Sequence, residues 1–106
     1  MSGEIEALQA WYEARCDGDW EHEFGIRIET LDNPGWSIEV NLEGTPLEGV
    51  SFDPIHDMAP AREWLTCRVE DGKFQGAGGA PMLGTLIRTF LAWAHQAPVT
   101  PSEGAV

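Results

Sequence analysis

The stretch CDGDWEHEFGIRIETLDNPGW, residues 16–36, lies where the sequence pattern of the chain changes from helical to strand. Apolar residues alternate with polar ones from residue 24 to residue 31, and this period of two predicts a β-strand with one buried face. The Pro34–Gly35 pair that follows predicts a type II turn, with Pro in its second position and Gly in its third. Before the strand come four acids on alternating positions: Asp17, Asp19, Glu21 and Glu23. We therefore expect a helix to end where the acids begin and a sheet to start after them.

Helical patterns flank a central block of strand patterns. Residues 4–15 and 82–95 each repeat apolar side chains at helical spacing, and each predicts an amphipathic helix. The Asp71–Gly72 pair predicts a two-residue hairpin turn. Strands are expected at residues 24–31, 36–42, 47–52, 63–70 and 73–76, of which 47–52 is a short edge strand. The prediction is an α+β fold: a single antiparallel sheet of four to five strands with an N-terminal and a C-terminal helix packed on one face.

A length of 106 residues predicts a single domain, which we assign to residues 1–97, followed by a flexible tail at residues 98–106. The glycine-rich run at residues 76–81 is expected to be a flexible exit from the sheet, where backbones pass closely. The sheet face without helices is expected to carry polar side chains: Arg27, Glu29, Ser37, Glu39, Asn41, Thr66, Arg68, Lys73 and Gln75.

The charge of the chain restricts its partners. There are 18 acidic and 6 basic residues, for a formal net charge of −12. Such an excess repels nucleic acid and anionic membrane surfaces and attracts basic partners, although it can also serve solubility alone. No apolar stretch approaches the roughly 20 residues of a membrane span, and no signal-peptide pattern opens the chain. We therefore expect a cytoplasmic protein in which Cys16 and Cys67 are reduced and buried.

The acidic run has the composition of a calcium loop but not its spacing. Counting from Asp17, an EF-hand would need Gly and Glu where the chain has His22 and Ile28. The cysteines and histidines lack the short paired spacing of zinc sites, and no nucleophile lies in a catalytic motif. We therefore expect no catalytic residue, no metal and no cofactor. The alternative is a small metal-dependent hydrolase that uses Asp17, Asp19 and His22.

Several segments occur in an order that is specific enough to suggest a family. They are LQAWY at 8–12, CDGDWEHEFGI at 16–26, ETLDNPGW at 29–36, FQGAGG at 74–79 and FLAW at 90–93. In this order they resemble the immunity protein 53 family of bacterial polymorphic toxin systems. The resemblance implies a non-enzymatic antidote that binds and blocks a cognate toxin.

The charge adds a hypothesis about that toxin. A net charge of −12 suits a basic toxin, and nuclease toxins are basic because they hold phosphates. An antidote of this kind would occlude the toxin with an acidic surface whose carboxylates mimic phosphates. The residues assigned to toxin binding are Asp17, Asp19, Trp20, Glu21 and Glu23, with Glu39 on the open sheet face as a second patch.

Within that assignment, Trp20 is expected to be an exposed aromatic anchor, because it falls outside the buried pattern. A competing interpretation is that Trp20 and Asp17 only build the corner between helix and sheet. A generic acidic adaptor domain is a further alternative to the antidote. The sequence makes no prediction about oligomeric state.

Overall fold

The computed structural model describes residues 3–58 and 62–96, which form three helices and five strands. The helices are α1 (Glu4–Arg15), α2 (Trp20–Glu23) and α3 (Leu83–Gln96). The strands are β1 (Ile26–Leu31), β2 (Gly35–Asn41), β3 (Ile55–Asp57), β4 (Leu65–Glu70) and β5 (Lys73–Gly78). The predicted flexible tail, residues 98–106, lies outside the described residues.

The five strands form one antiparallel sheet in the order β1-β2-β5-β4-β3. This confirms the predicted α+β fold with helices at both ends of the chain. The predicted hairpin between β4 and β5 is also confirmed. Asp71 and Gly72 both have positive φ (57° and 73°), as the two central residues of a type I′ turn require. Register then follows from the turn, with Glu70 opposite Lys73.

The predicted type II turn between β1 and β2 is wrong. Such a turn needs positive φ at Gly35, but Gly35 opens β2 opposite Leu31 and has no positive φ, and the Asn33–Pro34 peptide bond is cis. Glycine is needed there for a different reason. A Cβ on Gly35 would collide with the carbonyl oxygen of Gly78 in the neighbouring strand β5.

The predicted edge strand at residues 47–52 is also wrong, since the edge is formed by the three residues of β3. Leu47 instead lies in a series of turns and is 2% exposed. Thr45 stabilises these turns, because its Oγ1 donates to the Leu42 carbonyl oxygen at 2.7 Å and accepts from the Leu47 N–H at 3.1 Å. The turns return Leu47 to the core, which a straight strand would not do.

The core lies between the sheet and α3. Val40, Phe74, Leu86 and Phe90 are all 0% exposed, and the rings of Phe74 and Phe90 lie 5.1 Å apart. Burying side chains of this kind contributes roughly 1.5–3 kcal/mol each. The apolar face of the sheet and the apolar face of α3 therefore account for most of the packing.

The glycine run at residues 76–81 is not the expected flexible exit, since Gly76 and Gly78 belong to β5 and are buried. The expectation that backbones pass closely there is confirmed. A Cβ on Gly76 would lie 3.0 Å from Leu86 of α3 and 3.1 Å from Ile38 of β2. The missing side chains thus let α3 lie against the middle of the sheet.

Helix α1 has the predicted bounds, but its apolar stripe is only partly buried. Leu8 is 8% exposed and Trp11 packs edge-on against Phe90, with ring centroids 5.0 Å apart. Ile5 and Tyr12 remain exposed. The stripe is therefore wider than the surface that α1 presents to the core.

The open sheet face carries the polar side chains predicted for it, as the register requires. None of the helices within residues 3–58 and 62–96 is long and apolar enough to cross a membrane.

Candidate functional site

The acidic stretch forms a corner between α1 and β1. Helix α1 ends at Arg15, and Gly18 turns the chain with a φ of 97°. Asp17 Oδ1 then accepts the backbone N–H groups of Asp19 and Trp20, both at 2.9 Å. Asp17 thus satisfies donors at the start of α2 that have no partner within the helix.

Glu21 holds the same corner from the other side. Its two carboxylate oxygens accept the N–H groups of Asp17 and Gly18, each at 2.9 Å. The pKa of Asp17 is lowered by its bonds from Trp20 and Asp19, and the pKa of Glu21 is lowered by its own backbone N–H and by those of Asp17 and Gly18. Two of the four predicted acids therefore serve the geometry of the corner.

Trp20 is 5% exposed, so the expectation of an exposed aromatic anchor is wrong. Its indole N–H donates to the Glu43 carbonyl oxygen at 2.9 Å, and its ring makes edge contacts with Trp11 and Tyr12 at 6.2 and 6.1 Å. This agrees with the competing interpretation, in which Trp20 and Asp17 build the corner. The position of Trp20 outside the buried pattern of its neighbours was misleading. Its burial depends on a loop after β2, which the pattern of neighbouring residues does not reveal.

The remaining two acids, Asp19 and Glu23, are exposed, and their carboxylates accept no hydrogen bond from the described residues. Beside them lies the loop that receives Trp20, which brings two further exposed acids, Glu43 and Glu48. Glu48 accepts the N–H of Gly44 at 3.1 Å. We call this set the acidic corner: Asp17, Asp19, Glu21, Glu23, Glu43 and Glu48.

A shallow cavity of about 330 Å³ lies within the acidic corner, lined by Asp17, Asp19, Trp20, His22, Glu23, Phe24 and Gly44. Sequence reasoning missed the contribution of the loop at residues 43–48. The one available signal was that a buried indole N–H needs a hydrogen-bond acceptor. Nothing in the spacing of the sequence identifies the carbonyl oxygen that accepts it.

Glu39 lies on the open sheet face, opposite Arg27 of β1 and Gln75 of β5. Arg27 Nη1 is 4.0 Å from a Glu39 carboxylate oxygen. Glu39, Arg27 and Glu23 also line one small cavity of about 210 Å³. The structure thus brings Glu39 next to the acidic corner, with an arginine beside it.

The open sheet face as a whole is balanced in charge. Arg68 pairs with Glu70 at 2.8 Å, and Arg27 lies 3.7 Å from Glu29. Three acids and three bases lie on this face: Glu29, Glu39 and Glu70, and Arg27, Arg68 and Lys73. The excess of acidic side chains therefore lies on other surfaces. Among these, the acidic corner has the most closely spaced acids along the sequence.

The alternative metal site is not assembled from the described residues. Within residues 3–58 and 62–96, no group of three or more His, Cys, Asp or Glu side chains is arranged to hold a metal ion. Asp17, which the alternative needs as a ligand, already accepts two backbone N–H groups.

Both cysteines are free thiols. Cys67 is buried and its pKa is raised to about 11 by that burial, which makes it a weak nucleophile at neutral pH. Cys16 is half-buried, in contrast to the expectation of burial, and its thiol donates to the Tyr12 carbonyl oxygen at 3.4 Å.

Comparisons with known proteins agree with the resemblance seen in the sequence. Neither a curated protein nor a solved structure matches the chain. The family model described as Immunity protein 53 matches residues 5–95, which include the sheet, the acidic corner and all but one terminal residue of each long helix. The chain belongs to the Immunity protein 53 family.

Proposed function

We propose that this protein is the antidote to a cognate polymorphic toxin and that it neutralises the toxin by binding to it, without catalysis. The observation that carries the proposal is the acidic corner, on a chain that belongs to a family of immunity proteins. Exposed carboxylates on a backbone that is held by hydrogen bonds suit recognition of a basic surface, since the backbone loses little conformational freedom on binding.

The toxin that fits this surface is basic and of the nuclease type. A nuclease holds phosphates with Lys and Arg, so carboxylates at phosphate-like positions compete with its substrate. The formal charge of −12 attracts such a partner over a distance set by the ionic strength. We propose that occlusion takes place in the cytoplasm of the cell that must be protected.

Within the acidic corner we propose two roles. Asp17, Glu21 and Trp20 keep the corner in shape through the hydrogen bonds described above. Asp19 and Glu23 contact the toxin directly, and Glu39 extends the surface onto the sheet. This division follows from which carboxylates are already used inside the protein.

The test is a double charge reversal, Asp19→Lys/Glu23→Lys, with Asp53→Lys/Glu63→Lys as the matched control of equal net charge. All four residues are exposed. The probe is the toxin domain encoded by the reading frame next to the gene for this chain. We expect the first variant to bind this domain at least 100-fold more weakly, with a shallower dependence of the affinity on salt concentration, and the control to lose far less.

Equal loss in both variants would mean that net charge acts without a defined site. Unchanged affinity and salt dependence in Asp19→Lys/Glu23→Lys would remove the acidic corner from the interface. Failure of the wild-type protein to bind the toxin domain would contradict the proposed function itself.

A further inference from the structure

Exposed apolar side chains are concentrated on one side of the molecule. Among the described residues, the large hydrophobic side chains that stay exposed are Ile5 (53%), Tyr12 (39%), Ile28 (38%) and Met58 (60%). Met58 follows β3 at one end of the sheet, whereas the other three lie on α1 and β1 at the opposite end. A cluster of exposed apolar side chains on a strongly charged protein is typical of an interaction surface.

A groove runs between these two elements. It has a volume of about 460 Å³ and is lined by Leu8, Gln9, Tyr12, Phe24, Gly25 and Ile26. Ile5 lies two helical turns before Tyr12 on the same face of α1, and Ile28 follows Ile26 on the same face of β1. The groove is therefore the place where the apolar face of the sheet extends beyond the helix that covers it.

The same side of the molecule presents an open sheet edge. β1 is the terminal strand, and no described strand pairs with its outer edge. It has six residues and no proline. The opposite edge, β3, has only three residues and follows Pro54. β1 is thus the less protected edge and the better template for another strand.

Acids lie at both ends of this edge. Glu23 precedes β1 and Asp32 follows it, and both are exposed. Glu13 lies on α1 one residue after Tyr12 and is also exposed. These charges disfavour a second copy of this acidic chain on the edge and favour a segment that carries Lys or Arg beside its apolar side chains.

We propose that an extended basic segment of the toxin pairs with β1 as a sixth strand of the sheet. Its inward side chains fill the groove beside Tyr12 and Ile28, and its basic side chains meet Glu23 and Asp32. Main-chain hydrogen bonds supply affinity in this mode and the groove supplies specificity. The proposal rests on the proposed function, and it supplies the apolar anchor that Trp20, being buried, does not.

The test is Ile28→Lys, which introduces a charge on the inward side of the edge. Met58→Lys is the matched control, since it makes the same charge change at an exposed apolar side chain at the other end of the sheet. With the toxin domain of the adjacent reading frame as probe, we expect Ile28→Lys to weaken binding roughly 30-fold or more and Met58→Lys to leave it within about 3-fold.

Hydrogen–deuterium exchange of the wild-type protein gives a second readout that needs no variant. We expect the amides of β1 to become protected when the toxin domain binds, while those of β3 do not change. Equal binding by both variants, or no new protection in β1, would overturn the proposal while leaving the proposed function intact. Dimerisation of the wild-type protein that Ile28→Lys abolishes would also overturn it, since a second copy would then occupy the edge.

Discussion

The individual acids in residues 17–23 have different physical roles despite their regular spacing. Asp17 and Glu21 accept backbone N–H groups inside the corner, and this hydrogen bonding lowers the pKa of each, with bonds from Trp20 and Asp19 dominant for Asp17 and the Glu21 N–H for Glu21. Asp19 and Glu23 leave their carboxylates exposed. Alternation along the chain thus separates acids that hold the turn from acids that are available to a partner.

Asp17 should stabilise the fold in a pH-dependent manner. Because its pKa is lowered on folding, its contribution is present above the ordinary value of about 3.8 and is lost as the pH falls through the lowered value. We therefore expect Asp17→Asn to lower the melting temperature at about pH 7, and the difference from wild type to shrink towards about pH 2. Thermal melts followed by circular dichroism across this range measure it.

Asp19→Asn is the control for this prediction, since that carboxylate is exposed and accepts no hydrogen bond from the described residues. A difference between wild type and Asp17→Asn that stays constant over the whole pH range would show that the charge of Asp17 does not contribute to stability.

At the scale of elements, the corner depends on a contact between parts that are distant in sequence. The short helix α2 buries Trp20 against α1 and against the loop after β2, where the Glu43 carbonyl oxygen accepts the indole N–H. A four-residue helix has little stability of its own. The position of α2 therefore depends on this packing.

Replacement of Trp20 should accordingly affect folding before binding. We expect Trp20→Ala to lower the free energy of unfolding by about 3–5 kcal/mol, because a large buried ring is lost. Trp20→Phe keeps an aromatic ring but removes the N–H that donates to the Glu43 carbonyl oxygen. We therefore expect a smaller loss of about 1–3 kcal/mol, because the carbonyl oxygen loses its donor and the ring is smaller. Urea denaturation measures both, and unchanged stability in Trp20→Ala would restore the interpretation of an exposed anchor.

At the scale of the whole molecule, the two candidate surfaces are neighbours and are distinct from the open sheet face. The open sheet face balances its charges, whereas the acidic corner and the α1–β1 groove lie together beside the start of β1, where Phe24 lines both of their cavities. Cys67 lies on the inner side of the sheet, opposite Ile55 and Gly76 in the register, and is 2% exposed. Its thiol is therefore covered in the folded protein.

The reactivity of Cys67 should report global stability. Its pKa of about 11 and its burial keep the thiol unreactive in the folded protein, whereas the half-buried Cys16 is accessible. We expect a thiol reagent to label one cysteine in the native protein and both in denaturant. In the Cys16→Ser variant, labelling should slow to the rate of global unfolding, and fast labelling there would mean that the sheet opens locally.

The sequence by itself determined the elements whose signals are local. Period-two alternation predicted β1, β2 and β4, and the Asp71–Gly72 pair predicted β5 as the hairpin partner of β4. Helical spacing predicted α1 with its observed bounds. These predictions succeeded because alternation, helical spacing and turn chemistry depend on neighbours within a few residues.

Only the tertiary structure decided which of these residues are exposed, and hence the candidate site. Trp20 is buried because a distant loop covers it, and Gly35 is required by the carbonyl of a neighbouring strand. Tyr12 and Ile28 stay exposed on α1 and β1, between which a groove remains. Each of these outcomes depends on the relative positions of elements far apart in the chain. A pattern along the sequence specifies which face of an element is apolar, but not whether another element covers it.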